Sequence, residues 1–255
     1  MYTIGLDIGS TSSKAVILKT GRQVVAQAAI ASGTGTKGPE KVLEKVLFQA
    51  GLREEDIRRT VVTGYGRKIY SKADKQVSEL SCHAKGVYFL LPDARTVIDI
   101  GGQDAKAMNI NDKGHMTNFV MNEKCAAGTG RFLDVMARVL DVELCELADL
   151  SALSKKKVSI SSVCTVFAES EVISHLASGE SVEDVCAGIH ASVAQKVTSL
   201  ARRVEIKKTV VLTGGVAQNQ GVVKAMEEIL ELKLSVPQYP QLTGALGAAL
   251  YACEL

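Results

Sequence analysis

The sequence contains no tryptophan, and aromatic residues make up only 4% of it. Neither sign of charge is in surplus, since 30 Lys and Arg against 28 Asp and Glu leave a formal net charge of +2. These absences set nucleic acid aside, because such a surface needs a basic excess to meet phosphates and rings on which bases stack. No apolar run approaches the roughly 20 residues that span a bilayer. The N-terminus, MYTIGLDIGS, passes into strand-like sequence without a charged leader and apolar core. The expectation is a cytoplasmic chain with no membrane partner. None of the six cysteines forms a CxxC pair, and thiols in that compartment stay reduced, so packing and metal binding are the competing readings. There is no low-complexity linker; the densest basic patch, SKKKVSI, reads as a solvated turn.

What is present is enough apolar residue, 46% over 255 positions, for one large domain or two lobes. The most informative feature is an internal echo. LDIGSTSSKAVIL at 6–18 and IDIGGQDAKAMNI at 98–110 both read D-I-G-[SG]-x-x-x-K-A. In each, an apolar run ends at Asp, small turn residues follow, and Lys stands seven positions after the Asp. Each copy predicts a β-hairpin extended by a third strand. The first is followed by helical PEKVLEKVLFQAG, a strand RTVVTGYG and a second helix KQVSELSCHAKGVYFL. After the second come GRFLDVMARVL, FAESEVISHLAS and VEDVCAGIHASVAQKVTSLARRV, all with helical apolar spacing, then a strand KTVVLTGG. The reading is α/β, two duplicated lobes, each a mixed sheet flanked by helices. Lobe I covers 1–95 and is closed by a C-terminal helix at 242–255, whose small residues allow close packing; lobe II covers 96–241.

A turn of Gly, Ser and Thr between strands presents several N–H groups and hydroxyls to one point, which suits phosphate oxygens. DIGSTSSK offers Gly9, Ser10, Thr11, Ser12 and Ser13 in that way, with Lys14 to neutralise phosphate charge. Asp7 can hold a water of Mg²⁺, a hard cation that bridges carboxylates and nucleotide. The second copy supplies Asp99 for the metal's other side, Gly101 and Gly102 for backbone approach, and Gln103 to orient an attacking water. A further glycine pair, Gly214 and Gly215 in VVLTGGVAQNQG, ends a strand and opens a helix where backbone can pass close to an adenosine.

One such turn alone is more often a tight hairpin than a nucleotide site. Two echoed DIG turns and the TGG turn, in this order, resemble the phosphate-one, phosphate-two and adenosine motifs of the actin, sugar-kinase and heat-shock-chaperone ATPases. The resemblance implies an actin-like, ribonuclease H-like fold with ATP or ADP bound between lobes that open and close. It adds Asp104, Val216, Asn219 and Gln241 as candidate nucleotide contacts. The chain has no length for the substrate-binding insertion usual in sugar kinases, which disfavours kinase activity on a small metabolite.

Cys82, Cys145, Cys186 and Cys253 read as core or surface residues. Cys125 in NEKCAAGTG and Cys164 in SSVCTVFAESEVIS differ, for each precedes a helix start, with backbone N–H groups expected to remain free toward sulfur. Together with TGYGR, ADKQVSELSCHAKG and GALGAALYA, these words resemble, essentially end to end, the activator component of 2-hydroxyacyl-CoA dehydratases. That is an ATPase often called an archerase, of the BadF/BadG/BcrA/BcrD family. The resemblance implies a 4Fe-4S cluster ligated by Cys125 and Cys164, with a reduced ferredoxin or flavodoxin as donor. One electron would pass to a separate dehydratase that removes water from an (R)-2-hydroxyacyl-CoA. Since such a cluster takes four thiolates and one chain offers two in this setting, the implied assembly is a homodimer sharing one cluster. Two alternatives stay open: an ATPase subunit of a benzoyl-CoA reductase, and an actin-like or chaperone-like nucleotide switch without a cluster.

Overall fold

The computed structural model describes residues 1–161 and 164–255. In chain order the first elements are β1 (Tyr2–Ile8), β2 (Ser13–Lys19), β3 (Gln23–Ile30), α1 (Gly38–Ala50), β4 (Ile57–Thr63), β5 (Lys75–Gln76) and α2 (Glu79–Leu90). Then come β6 (Thr96–Ile100), β7 (Ala105–Ile110), β8 (Met116–Asn122), α3 (Gly130–Val139), α4 (Glu146–Ala152), α5 (Thr165–Ala177) and α6 (Val182–Ala201). The last are β9 (Val210–Thr213), α7 (Gln220–Leu230) and α8 (Thr243–Ala252). The chain divides into two units, Met1–Val97 with Ile110–Thr117 and Pro237–Leu255, and Ile98–Asn109 with Asn118–Val236.

The first unit is built on a five-stranded sheet in the order β3-β2-β1-β4-β5. It is mixed: β1 runs antiparallel to β2 and parallel to β4. Strand alternation sends successive side chains to opposite faces. Accordingly Ile4, Leu6, Ile8 and Ile17 pack with Val42 and Val46 of α1, while Val16 and Leu18 pack with Leu246 and Ala249 of α8. Each buried branched side chain contributes about 1.5–3 kcal/mol. The Gly- and Ala-rich sequence of α8 allows close approach of backbone. A Cβ on Gly247 would strike the carbonyl of Cys82, and one on Gly86 of α2 would strike that of Thr243. One boundary differs from expectation. The helix foreseen from Lys75 begins at Glu79, because the Ser78 hydroxyl accepts the N–H of Ser81 at 3.2 Å and caps it there. Lys75 and Gln76 instead pair with Val61 and Val62 as the edge strand.

The second unit holds a four-stranded sheet in the order β8-β7-β6-β9. Third, second, first and fourth strands therefore stand in the same order as in the first unit, so the sequence echo is also an echo of topology. The principal core combines Ile98 and Ile100 of β6 with Phe132 and Met136 of α3 and with Ile189, Val193 and Val197 of α6. The short helix α4 is not among the elements foreseen, although Leu147 and Leu150 stand at helical spacing within it. Among the described residues no helix is long and apolar enough to cross a membrane.

Candidate functional site

The seven-residue spacing of Asp and Lys has a geometric meaning in the first hairpin. Asp7 and Lys14 are directly opposed across β1 and β2, and the Lys14 ammonium lies 3.3 Å from Asp7 Oδ2. Asp7 is 2% exposed, and its Oδ1 has no partner among the described residues. A buried carboxylate oxygen in that condition is costly and fits a group that binds water or a cation. The turn itself closes through the Gly9 N–H on the Ser12 carbonyl at 2.9 Å. Behind it, the N–H and hydroxyl of Thr34 both donate to the Gly9 carbonyl, at 2.9 and 3.0 Å. Ser10, Thr11 and Ser12 are half-exposed. Ser13 is not presented in the same way: it is buried, and its hydroxyl donates to the Ser32 carbonyl at 2.8 Å, bracing the loop.

The second hairpin repeats the ion pair and adds to it. Lys106, seven positions after Asp99, lies 3.5 Å from Asp99 Oδ2 and 2.7 Å from Asp104 Oδ2. It is 2% exposed. A buried cation requires such partners, so Asp104 is engaged in holding Lys106. Lys106 carries the signal that identified Lys14, the D-x₆-K spacing, and stands with the site residues on that ground. Asp99 Oδ1 accepts from the Thr213 hydroxyl at 2.8 Å. Gln103 is exposed, at the tip of a turn closed by the Gly101 N–H on the Asp104 carbonyl at 2.9 Å.

A third correspondence was not foreseen. β4 ends in Thr63-Gly64 and β9 in Thr213-Gly214, with glycine φ of 87° and 88°. A Cβ on Gly64 would strike the Ile8 carbonyl and Asp7 Oδ1, and one on Gly214 would strike the Ile100 carbonyl. Only glycine combines this φ with so close an approach. Beyond Gly214, Gly215 and the buried Val216 form a 3₁₀ turn, and the Asn219 side chain caps α7 by accepting the Val222 N–H at 3.1 Å. Gln241 lies in the first unit, in a 3₁₀ turn at Pro240–Leu242.

Cys125 is half-buried in the loop between β8 and α3, where its carbonyl accepts from Asn122 Nδ2 at 3.0 Å. Cys164 is half-buried and forms the N-cap of α5; Ser162 and Val163 before it lie outside the described residues. One expectation is corrected here. The first N–H groups of α3 are not free toward sulfur: Gly130 donates to the Gly101 carbonyl at 2.9 Å and Arg131 to that of Gly102 at 2.8 Å. Four donors at a helix start lack intrahelical partners, and two of these are taken by the second turn. The other cysteines also divide. Cys82 and Cys186 are buried, Cys253 bonds to Thr3 and the Ala249 carbonyl, and Cys145 is exposed at the start of α4 and in no apolar stripe.

With this geometry in hand, residues 4–252 match the BadF/BadG/BcrA/BcrD ATPase family. The chain belongs to that family. Among relatives of this ATPase family, it is 60% identical over 254 residues to the 2-hydroxyisocaproyl-CoA dehydratase activator of Clostridioides difficile, covering 100% of this chain and 96% of the relative. It superposes on the solved structure of the activator of the 2-hydroxyisocaproyl-CoA dehydratase from Clostridium difficile with bound ADPNP, with TM-score 0.97, 100% of this chain and 95% of that one covered. A component of the benzoyl-CoA reductase of Thauera aromatica is 33% identical, with coverage of 98% and 92%. At 13% identity, a ROK family glucokinase from Streptomyces griseus shares the fold alone, at TM-score 0.61 over all of both chains. The fold is thus the actin-like one of ATPases and sugar kinases.

Proposed function

We propose that this ATPase is an activator of a 2-hydroxyacyl-CoA dehydratase, delivering one electron to that partner in a step driven by ATP. Asp7 and Asp99 would hold Mg²⁺ with its waters, and the unpartnered, buried Oδ1 of Asp7 fits that assignment. The turn from Gly9 to Ser12, with Lys14, and the backbone of Gly101 and Gly102 would bind the phosphates. Gln103 would orient water, and Gly214, Gly215 and Val216 would lie along the adenosine. Cys125 and Cys164 would ligate a 4Fe-4S cluster, which supplies the one-electron chemistry when bound. Both cysteines are partly accessible, as ligands of a group outside the core should be. A second copy of the chain would complete the four thiolates, a reduced ferredoxin or flavodoxin would be the donor, and the setting would be the cytoplasm.

The observation that carries this reading is the pair of hydrogen bonds from Gly130 and Arg131 to the carbonyls of Gly101 and Gly102. They join the proposed phosphate turn to the helix that follows Cys125. Any shift of that turn on hydrolysis is then felt in the cysteine loop, which gives two ligand sites the differential contacts that coupling needs. The high identity to the named dehydratase activator favours that partner over a reductase. The test is reconstitution: anaerobically purified chain, a 2-hydroxyacyl-CoA dehydratase, a low-potential reductant, Mg²⁺ and ATP. Water elimination should require every component. Dehydration that proceeds equally with ADP, or without the chain, would remove the proposal.

A further inference from the structure

A cavity of about 320 Å³ opens in the second unit, bounded by the end of β8, the loop that follows it and the outer face of α6. It lies at the β8 edge of the sheet, whereas β9 and its glycine pair occupy the other edge. It belongs to none of the nucleotide turns. Its floor is apolar, formed by Ala105, Met121, Ala127 and Leu200. Its polar lining comprises Lys196 and Ser199 on one face of α6, the exposed Arg203 just beyond the helix end, and Asn122 at the end of β8. Among the described residues, neither the Lys196 ammonium nor the Arg203 guanidinium has an ion-pair or hydrogen-bond partner. The nearby acid Glu205 is engaged with Lys207 at 3.2 Å. The stem of Lys196 lies against Gly128, whose φ of 83° lets backbone pass there.

We infer that this cavity binds a small monoanion with a short apolar chain, a short-chain carboxylate. The two cations recognise the carboxylate, with Asn122 and Ser199 as neutral hydrogen-bonding groups, and the apolar floor receives the chain. The volume sits at the lower end of the range for small-molecule sites. A phosphate dianion fits less well. A bare phosphate leaves the apolar floor unused. The loop wall of the cavity is the segment that carries Cys125, and Asn122 holds the Cys125 carbonyl. Occupation therefore bears on that loop directly. This inference concerns binding and stands whether or not the cysteines hold iron.

The experiment is calorimetric titration of the anaerobically purified full chain with acetate, butanoate and hexanoate, with butanamide and inorganic phosphate alongside. Saturable binding should strengthen from acetate to hexanoate, and butanamide and phosphate should bind more weakly than butanoate. Lys196→Met and Arg203→Met keep the aliphatic stems, so their thermal melts should match wild type, and each should weaken hexanoate by about tenfold or more. Absence of saturable hexanoate binding in the wild type would overturn the inference. So would equal binding of butanamide, tighter binding of phosphate than of hexanoate, or undiminished hexanoate affinity in the folded double variant.

Discussion

At the scale of single residues, the two aspartates of the echoed hairpins are equally buried but differently satisfied. Asp99 is held by Thr213 and Lys106, whereas Asp7 keeps one oxygen without a partner among the described residues. Asp7→Asn and Asp99→Asn should each abolish Mg-dependent ATP hydrolysis. Gln103→Ala should reduce turnover by about 10²-fold, the size of losing one positioned transition-state donor, with nucleotide affinity nearly unchanged. Steady-state hydrolysis beside equilibrium binding separates the two; wild-type turnover in Gln103→Ala would remove its role. The thiols sort by burial in the same way. Burial pushes Cys82 and Cys186 up to about 12, and the thiolate is the reactive form. With iodoacetamide at pH 8, the exposed Cys145 should be modified first, and Cys82 and Cys186 only on unfolding. Mass mapping of early modification at Cys186 would contradict the packing described.

Between elements, the contact of α6 with α7 contains a polar group in an apolar place. His190 is 1% exposed, its ring lies on Gly221, and neither ring nitrogen has a partner among the described residues. Burial lowers its pKa from 6.5 to about 4. Between these values the unfolded chain binds the proton and the folded one does not, so stability falls as pH drops from about 6.5 toward 4. The loss is on the order of 3 kcal/mol at its fullest. In denaturant titrations at stepped pH, His190→Leu should lose this part of the slope; an unchanged slope would place the titration elsewhere. The elements themselves were unevenly legible in the sequence. Asp and Lys seven apart across small residues predict a hairpin, because cross-strand pairing puts them opposite one another, and helical apolar spacing located α1, α3, α5 and α6. The start of α2 was missed because Lys75 and Gln76 suit a helix by propensity, and only pairing with β4 makes them a strand. The use of the α3 N–H groups was invisible for a related reason. Gly101 and Gly130 are far apart in sequence, and a bond between their backbones leaves no trace in side-chain type.

For the whole molecule, the deciding quantity is thiolate number. A 4Fe-4S cluster ordinarily takes four cysteines, and beyond Cys125 and Cys164 the chain has two buried thiols, one bonded to Thr3 and one exposed at α4. A two-fold assembly, each copy giving the same pair, reaches four without rearranging any core. The helix after Cys164 carries a surface suited to such an assembly: Val166, Phe167 and Ile173 are 66, 63 and 53% exposed on α5. In the proposed assembly these exposed apolar side chains, on the helix that Cys164 caps, would be covered by the second copy. Phe167→Asp should therefore shift the anaerobic protein from dimer to monomer by light scattering and lower its iron and sulfide together, while ATP binding persists. Cys125→Ser and Cys164→Ser should lose the cluster and keep nucleotide affinity, and Cys186→Ser should retain about four irons per two chains. A wild-type monomer holding a complete cluster would defeat the shared site, as would full iron content in Cys125→Ser. A Phe167→Asp variant that stays dimeric with its iron would instead leave the cysteines in place and move the interface away from α5.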